Sequence, residues 1–119
     1  MIDDAEAAKM LEENRLVLSR FAERHDLSGL QNIEIGSRYH DRETAMAARK
    51  YILQKYGKPD DVIFYVEEKQ YSADDEVIDL RFDFRAIPNA ELVTKYELML
   101  HDAAEKFGGE TPYWEIAVK

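Results

Sequence analysis

His101 and Glu105, in the segment HDAAE, stand four positions apart, which on a helix is one turn and the spacing of two metal ligands. A zinc site needs at least a third protein ligand, and no second pair of this kind occurs. The pair therefore reads as an exposed helix face carrying an i,i+4 polar contact. Ser37, His40 and Asp41, in SRYHDRE, supply the residue types of nucleophilic catalysis. They straddle a strand end and a helix cap, however, whereas a triad is defined by convergence of its side chains. Capping the helix accounts for Asp41 by itself. Gly108-Gly109 follow a helix, while phosphate-binding glycines precede one, so they read as a helix stop. With no cysteine in the chain, disulfides, thiolate metal sites and cysteine nucleophiles are excluded. The expectation is a non-enzymatic protein with no catalytic, metal or cofactor site.

The elements that position these residues follow from periodicity. A first helix over about residues 4–25 is carried by Ala7, Leu11, Leu18 and Phe21, with Ala22 beside them and Asp3 and Asp4 at its N-terminus. NIEIGSRYH reads as a strand. DRETAMAARKYILQKYG then reads as a helix, with Asp41 as N-cap, Gly57 as a left-handed C-cap, and a stripe of Ala45, Ala48, Ile52 and Tyr56. VIFYVEE is a second strand and KQYSADDE a polar hairpin loop. In VIDLRFDFRAI, Ile78, Leu80, Phe82 and Phe84 alternate with Asp79, Arg81, Asp83 and Arg85, which predicts one covered and one wet face. Asn89, after Pro88, caps a helix over about 90–107, with a stripe of Leu92, Tyr96, Met99, Ala103 and Phe107. In the last strand Trp114, Ile116 and Val118 alternate with Tyr113, Glu115 and Ala117.

This order, α then βαββαβ, predicts an α+β fold. It is a ferredoxin-like sandwich with a four-stranded antiparallel sheet of order 4-1-3-2, both later helices on one face, and an extra N-terminal helix. The 119 residues form one domain, without repeats or linkers. With 45% hydrophobic and 34% charged residues the chain can build a core without staples. MIDDAEAAKMLEENR lacks the basic and apolar regions of a secretory signal, and apolar runs are far too short for a membrane span. The expectation is a cytoplasmic bacterial protein.

A net charge of −9 disfavours direct nucleic-acid binding and favours a basic protein partner. RNA-recognition domains of this topology stack bases on aromatics of the open sheet face. Here Phe82 and Phe84 fall on the core side, and Asp79 and Asp83 occupy the open one. By alternation the open face holds Glu34, Arg38, Ile63, Tyr65, Asp79, Arg81, Asp83, Arg85, Tyr113 and Glu115. It is a ladder of cross-strand charge pairs or, with Tyr65 and Tyr113 as anchors, a protein-contact surface. The first helix or a second copy of the chain covering this face is the remaining alternative.

The segments EENRLVLSRFAERHDL, IEIGSRYHDRETA and AIPNAELVTKYELMLHDAAEKFGGETPYWE, which together run from about Leu11 to Glu115, resemble the family of regulators of ribonuclease E activity B (RraB-like proteins). In that family a strand closing in Pro leads into a helix that ends in a Gly-Gly step before an aromatic strand. Ile87-Pro88, Gly108-Gly109, Tyr113 and Trp114 occupy those places, with Tyr113 and Trp114 adjacent where members often carry Tyr-Asp-Gly-Trp. The resemblance implies a non-enzymatic regulator that binds a ribonuclease or its scaffold region and alters its activity. Two other classes stay open. One is an immunity protein neutralising a basic nuclease toxin. The other is a small-ligand-binding or catalytic homodimer with a pocket lined by Tyr65, Arg81 and Tyr113.

Overall fold

A computed structural model describes residues 3–72 and 74–117. Helix α1 (Asp4–Ala22) starts at Asp3, whose side chain accepts the Glu6 N–H at 2.8 Å. Its inner stripe is Ala7, Met10, Leu11, Asn14, Leu18 and Phe21, of which Asn14 and Leu18 are buried. The helix is one turn shorter than expected, and Ala22 is exposed. Strand β1 (Gln31–Tyr39) leads to α2 (Arg42–Tyr56), capped by Asp41 Oδ1, which accepts the Thr44 N–H at 2.7 Å. Ala45, Ala48 and Ile52 are buried as the stripe predicts, whereas Tyr56 is exposed. Gly57 takes a positive φ of 83° but an extended ψ of 172°, so the cap is not the left-handed one expected.

Strands β2 (Val62–Ser72) and β3 (Asp75–Ala86) run into the segment expected to be a loop, of which Ala73 lies outside the described residues. Lys69, Gln70 and Tyr71 lie beyond the helices. All three are exposed; Lys69 and Gln70 pair with Val77 and Glu76, and Tyr71 sits at the bulge between Gln70 and Ser72. Helix α3 (Ala90–Phe107) is capped by Asn89 and closes at Gly108, whose φ of 75° and ψ of 29° are left-handed. Its buried stripe is Val93, Tyr96, Leu100 and Ala103, flanked by Leu92, Met99 and Phe107, which are only half-buried. Gly109 donates to the Ala104 carbonyl at 2.9 Å, and a Cβ there would lie 2.6 Å from the Tyr39 ring. The two glycines thus serve a helix cap and a close packing contact. Strand β4 (Tyr113–Ala117) ends the described chain, and Val118, expected in this strand, lies outside the described residues.

The fold is α+β: a four-stranded antiparallel sheet of order β2-β3-β1-β4, with one face open and three helices. Helix α2 packs on β2 and β3, α3 packs on β1 and β4, and α1 packs against α3. Ile33, Ile35, Leu80 and Phe82 are fully buried under the helices. Phe64 stacks on Phe82 at 4.1 Å, and Tyr96 from α3 meets Phe82 at 4.7 Å. Burying an aromatic or aliphatic side chain of this size stabilises by roughly 1.5–3 kcal/mol, so this layer holds the sheet to the helices. Among the described residues no helix is long and apolar enough to cross a membrane.

Candidate functional site

Strand register aligns the open-face residues in rows. Tyr65, Arg81, Gly36 and Tyr113 form one row, and Glu67, Asp79 and Arg38 form the next. The third is Ile63, Asp83, Glu34 and Glu115. Gly36 makes the first row work. A Cβ there would lie 2.8 Å from the Tyr113 hydroxyl and 3.0 Å from Arg81 Cγ, so both side chains lie flat across the place a larger residue would fill.

Arg81 is the hub. Its guanidinium pairs with Glu34 at 2.8 Å, with Asp83 at 3.2 Å and with Glu67. Beside it Arg38 pairs with Asp79 at 3.1 Å, and the Tyr113 hydroxyl donates to Asp79 at 3.1 Å. The Tyr65 hydroxyl donates to Asp83 at 2.6 Å. This network corrects the expectation of a wet face. Arg81 is 8% and Asp79 7% exposed, because the long side chains lie over one another and shield their own charges. Burial and the adjoining carboxylates push both phenols up: Tyr65 beside Asp83 and Tyr113 beside Asp79 stay protonated donors. Burial alone would raise Glu67, but Lys69 and Arg81 outweigh it and hold its carboxyl below the ordinary value.

The third row is different. It sets Asp83 directly opposite Glu34, and Glu34 directly opposite Glu115. Like charges in this relation are destabilising. Arg81 reaches Asp83 and Glu34, but Glu115 is exposed and makes no ion pair among the described residues.

The structure therefore gathers Glu34, Arg38, Tyr65, Asp79, Arg81, Asp83 and Tyr113 into one network, with Glu115 at its margin. Arg85 is in none of these ion pairs. It is exposed at the end of β3 opposite Asn32, and it lines one cavity with Arg24 and His25 and another with Glu34 and Asp83. Glu67 and Gly36 belong to the network and were not expected. Both share the alternation of residues that were, Glu67 with Ile63 and Tyr65, and Gly36 with Glu34 and Arg38. The open face is not covered by α1, which packs on α3 on the opposite side of the sheet. Asn14 explains why: its amide donates to Thr94 Oγ1 and Glu97 Oε1, both at 2.9 Å, and accepts from Trp114 Nε1 at 3.0 Å.

The other candidates do not assemble. Ser37 is fully buried on the core side of β1, while His40 is exposed and pairs with Asp41 at 2.8 Å. His101 Nδ1 lies 3.5 Å from Glu105, and among the described residues no group of three metal-ligating side chains forms. Chemically, the open face offers carboxylates in excess over guanidinium and ammonium groups, with two flat phenols between them. Compared with known proteins, the chain matches no family model, no curated protein and no solved structure.

Proposed function

We propose that the chain is a non-enzymatic protein-binding module whose acidic open sheet face receives a basic partner. The carrying observation is the row Asp83, Glu34 and Glu115, carboxylates set opposite one another, two of them sharing the Arg81 guanidinium and Glu115 in no ion pair among the described residues. A row that opposes folding by charge repulsion is relieved when cationic side chains dock on it, and such a face also steers a basic partner to it. The net charge of −9 supports the same direction.

On this reading the scaffold is a ferredoxin-like sandwich with an added N-terminal helix, working in the cytoplasm. The partner is a ribonuclease or its scaffold region, as the resemblance to RraB-like regulators implies. An immunity protein against a basic nuclease toxin would use the same face. A small-ligand site is less well supported: the depression over Arg81 and Tyr113 has a volume of about 280 Å³, is lined almost wholly by charged and phenolic groups, and does not include Tyr65. Sheet-to-sheet pairing of two copies would bring two acidic rows together.

The test is capture of proteins on the immobilised chain with elution by a salt gradient, repeated with the double variant Glu34→Gln, Asp83→Asn, which keeps the acceptors for Arg81 and Tyr65. Retention of a basic nuclease that the variant releases at lower salt is the expected result, and inhibition assays on that nuclease separate regulator from immunity protein. Equal retention by both proteins would remove the sheet face from the proposal.

A further inference from the structure

The helical layer is wider than the sheet. Across it the helices run α2, α3, α1, while the sheet ends at β4, above α3. Helix α1 thus lies beyond the last strand, and between it and β4 runs a groove of about 520 Å³. Val17 and Phe21 of α1 form one wall and Trp114 and Ile116 of β4 the other. Val17 is 47% exposed there, with no strand above it. Beside the groove, the backbone of β4 on the side away from β1 has no hydrogen-bond partner among the described residues. The opposite edge is covered in part: from α2, Arg49 Nε donates to the Phe64 carbonyl at 3.1 Å and Arg42 pairs with the Glu68 side chain at 2.9 Å.

We propose that the β4 edge takes an added strand: an extended segment of the partner protein in which apolar residues alternate with Lys or Arg. Its backbone continues the sheet, its apolar side chains fill the groove over Val17 and Phe21, and its basic side chains emerge on the open face beside Glu115. The charge pattern selects this occupant. Glu115 stands on the face where the basic side chains emerge, and no basic residue lines the groove. A second copy of the chain is disfavoured by the same residue. Glu115 is the middle of the five-residue β4, so two-fold antiparallel pairing centred there sets Glu115 against itself. This inference rests on the proposed function for the basic character of the partner and adds its conformation and its place of docking.

The test uses short synthetic peptides and the whole chain. The probes are an alternating Lys-Val peptide, the same peptide N-methylated on every Val or on every Lys, and an alternating Lys-Gly peptide, each titrated by fluorescence anisotropy. Amide hydrogen exchange of Tyr113–Ala117 is followed in parallel. In an added strand only alternate N–H groups face β4. One methylated peptide should therefore bind roughly tenfold or more weakly while the other keeps its affinity. The Lys-Gly peptide should weaken similarly, and Lys-Val should slow exchange along β4. Val17→Asp, at an exposed position, should abolish the preference for Lys-Val over Lys-Gly. Equal binding by all the peptides would overturn the proposal and leave the acidic face as a purely electrostatic site, with the proposed function standing. No binding by any peptide also overturns it, and the capture experiment then decides the proposed function on its own. Protection of β4 by self-association in the absence of peptide overturns it in favour of a second copy.

Discussion

Along β2, helix α2 reaches over the edge of the sheet with Arg49 and Arg42, and the α2–α3 seam behind it is fastened by Asp102. That carboxylate accepts from Tyr56 at 2.7 Å and Tyr51 at 3.1 Å and pairs with Lys55 at 2.6 Å. Along β4, the flanking helix is held to α3 by the buried amide of Asn14 and, at the surface, by the Arg15–Glu91 pair at 2.8 Å, and the strand's outer backbone has no partner among the described residues. The first flank is a partly covered edge, stapled by charges near the surface. The second is held from below mainly by a buried amide node and left open above. An edge strand with free backbone groups is a hazard that proteins usually blunt with charges or a covering element. Charged side chains from α2 reach over part of β2 and none reaches over β4 among the described residues, and that asymmetry favours β4 as the place where another chain adds.

The comparison breaks most easily at Asn14. Asn14→Ala leaves Thr94, Glu97 and the Trp114 indole N–H without their shared partner in a buried site. The expected loss is about 2–4 kcal/mol of unfolding free energy. Urea unfolding measures it, and fluorescence of the single tryptophan should report the indole meeting water. A loss below about 0.5 kcal/mol would mean that apolar packing around Leu18, and not the amide, holds α1.

Asn14 also marks the limit of what the residues disclose in order. The helix caps at Asp41 and Asn89 are local, a side chain answering an N–H three positions on, and they are legible. The alternation from Ile78 to Phe84 is equally legible, because one covered face imposes it. A polar residue inside a helical stripe reads as a break in the stripe until its partners, some eighty residues away, are known. The acidic row is hidden for the same reason. Asp83, Glu34 and Glu115 each look like one half of a charge pair, and only the register of three strands places them opposite one another. Burial of Arg81 and Asp79 follows from that register too, since Gly36 opens the space into which Tyr113 folds.

Asp102→Ala tests the stapled flank, with a smaller effect of about 1 kcal/mol, because Tyr51 and Tyr56 can rebind water once released. Burial tends to raise the Asp102 carboxyl, but Lys55, Tyr56 and Tyr51 outweigh it and hold it below its ordinary value of 3.8. A depressed acid stabilises the fold above its unfolded value and loses that contribution as pH falls below it. The wild-type chain should therefore lose stability below about pH 3.8 more steeply than Asp102→Ala. Parallel curves would show that the staple carries no net stability.

The smallest effect sharpens the comparison, because its sign is reversed. On the open flank burial pushes the Glu97 carboxyl up; the Asn14 hydrogen bond opposes this, Glu13 adds to it and His101 reduces it. An acid raised in the folded state leaves stability intact below its unfolded value of 4.5 and takes it away as pH rises above that, until the folded value is passed. Glu97→Gln keeps the oxygen that accepts from Asn14 and removes the buried charge. Its new amide faces the cavities on either side of α1 that Glu97 already lines. At neutral pH the variant should be more stable than the wild type by up to about 1 kcal/mol, and the advantage should vanish as pH falls below 4.5. Unfolding midpoints measured across that range decide the matter. A variant less stable at neutral pH would mean that the carboxylate's charge strengthens its bond to Asn14 by more than burial costs it. The node would then be an ionic fastening like Asp102, and the two flanks would differ only in how far their edges are covered.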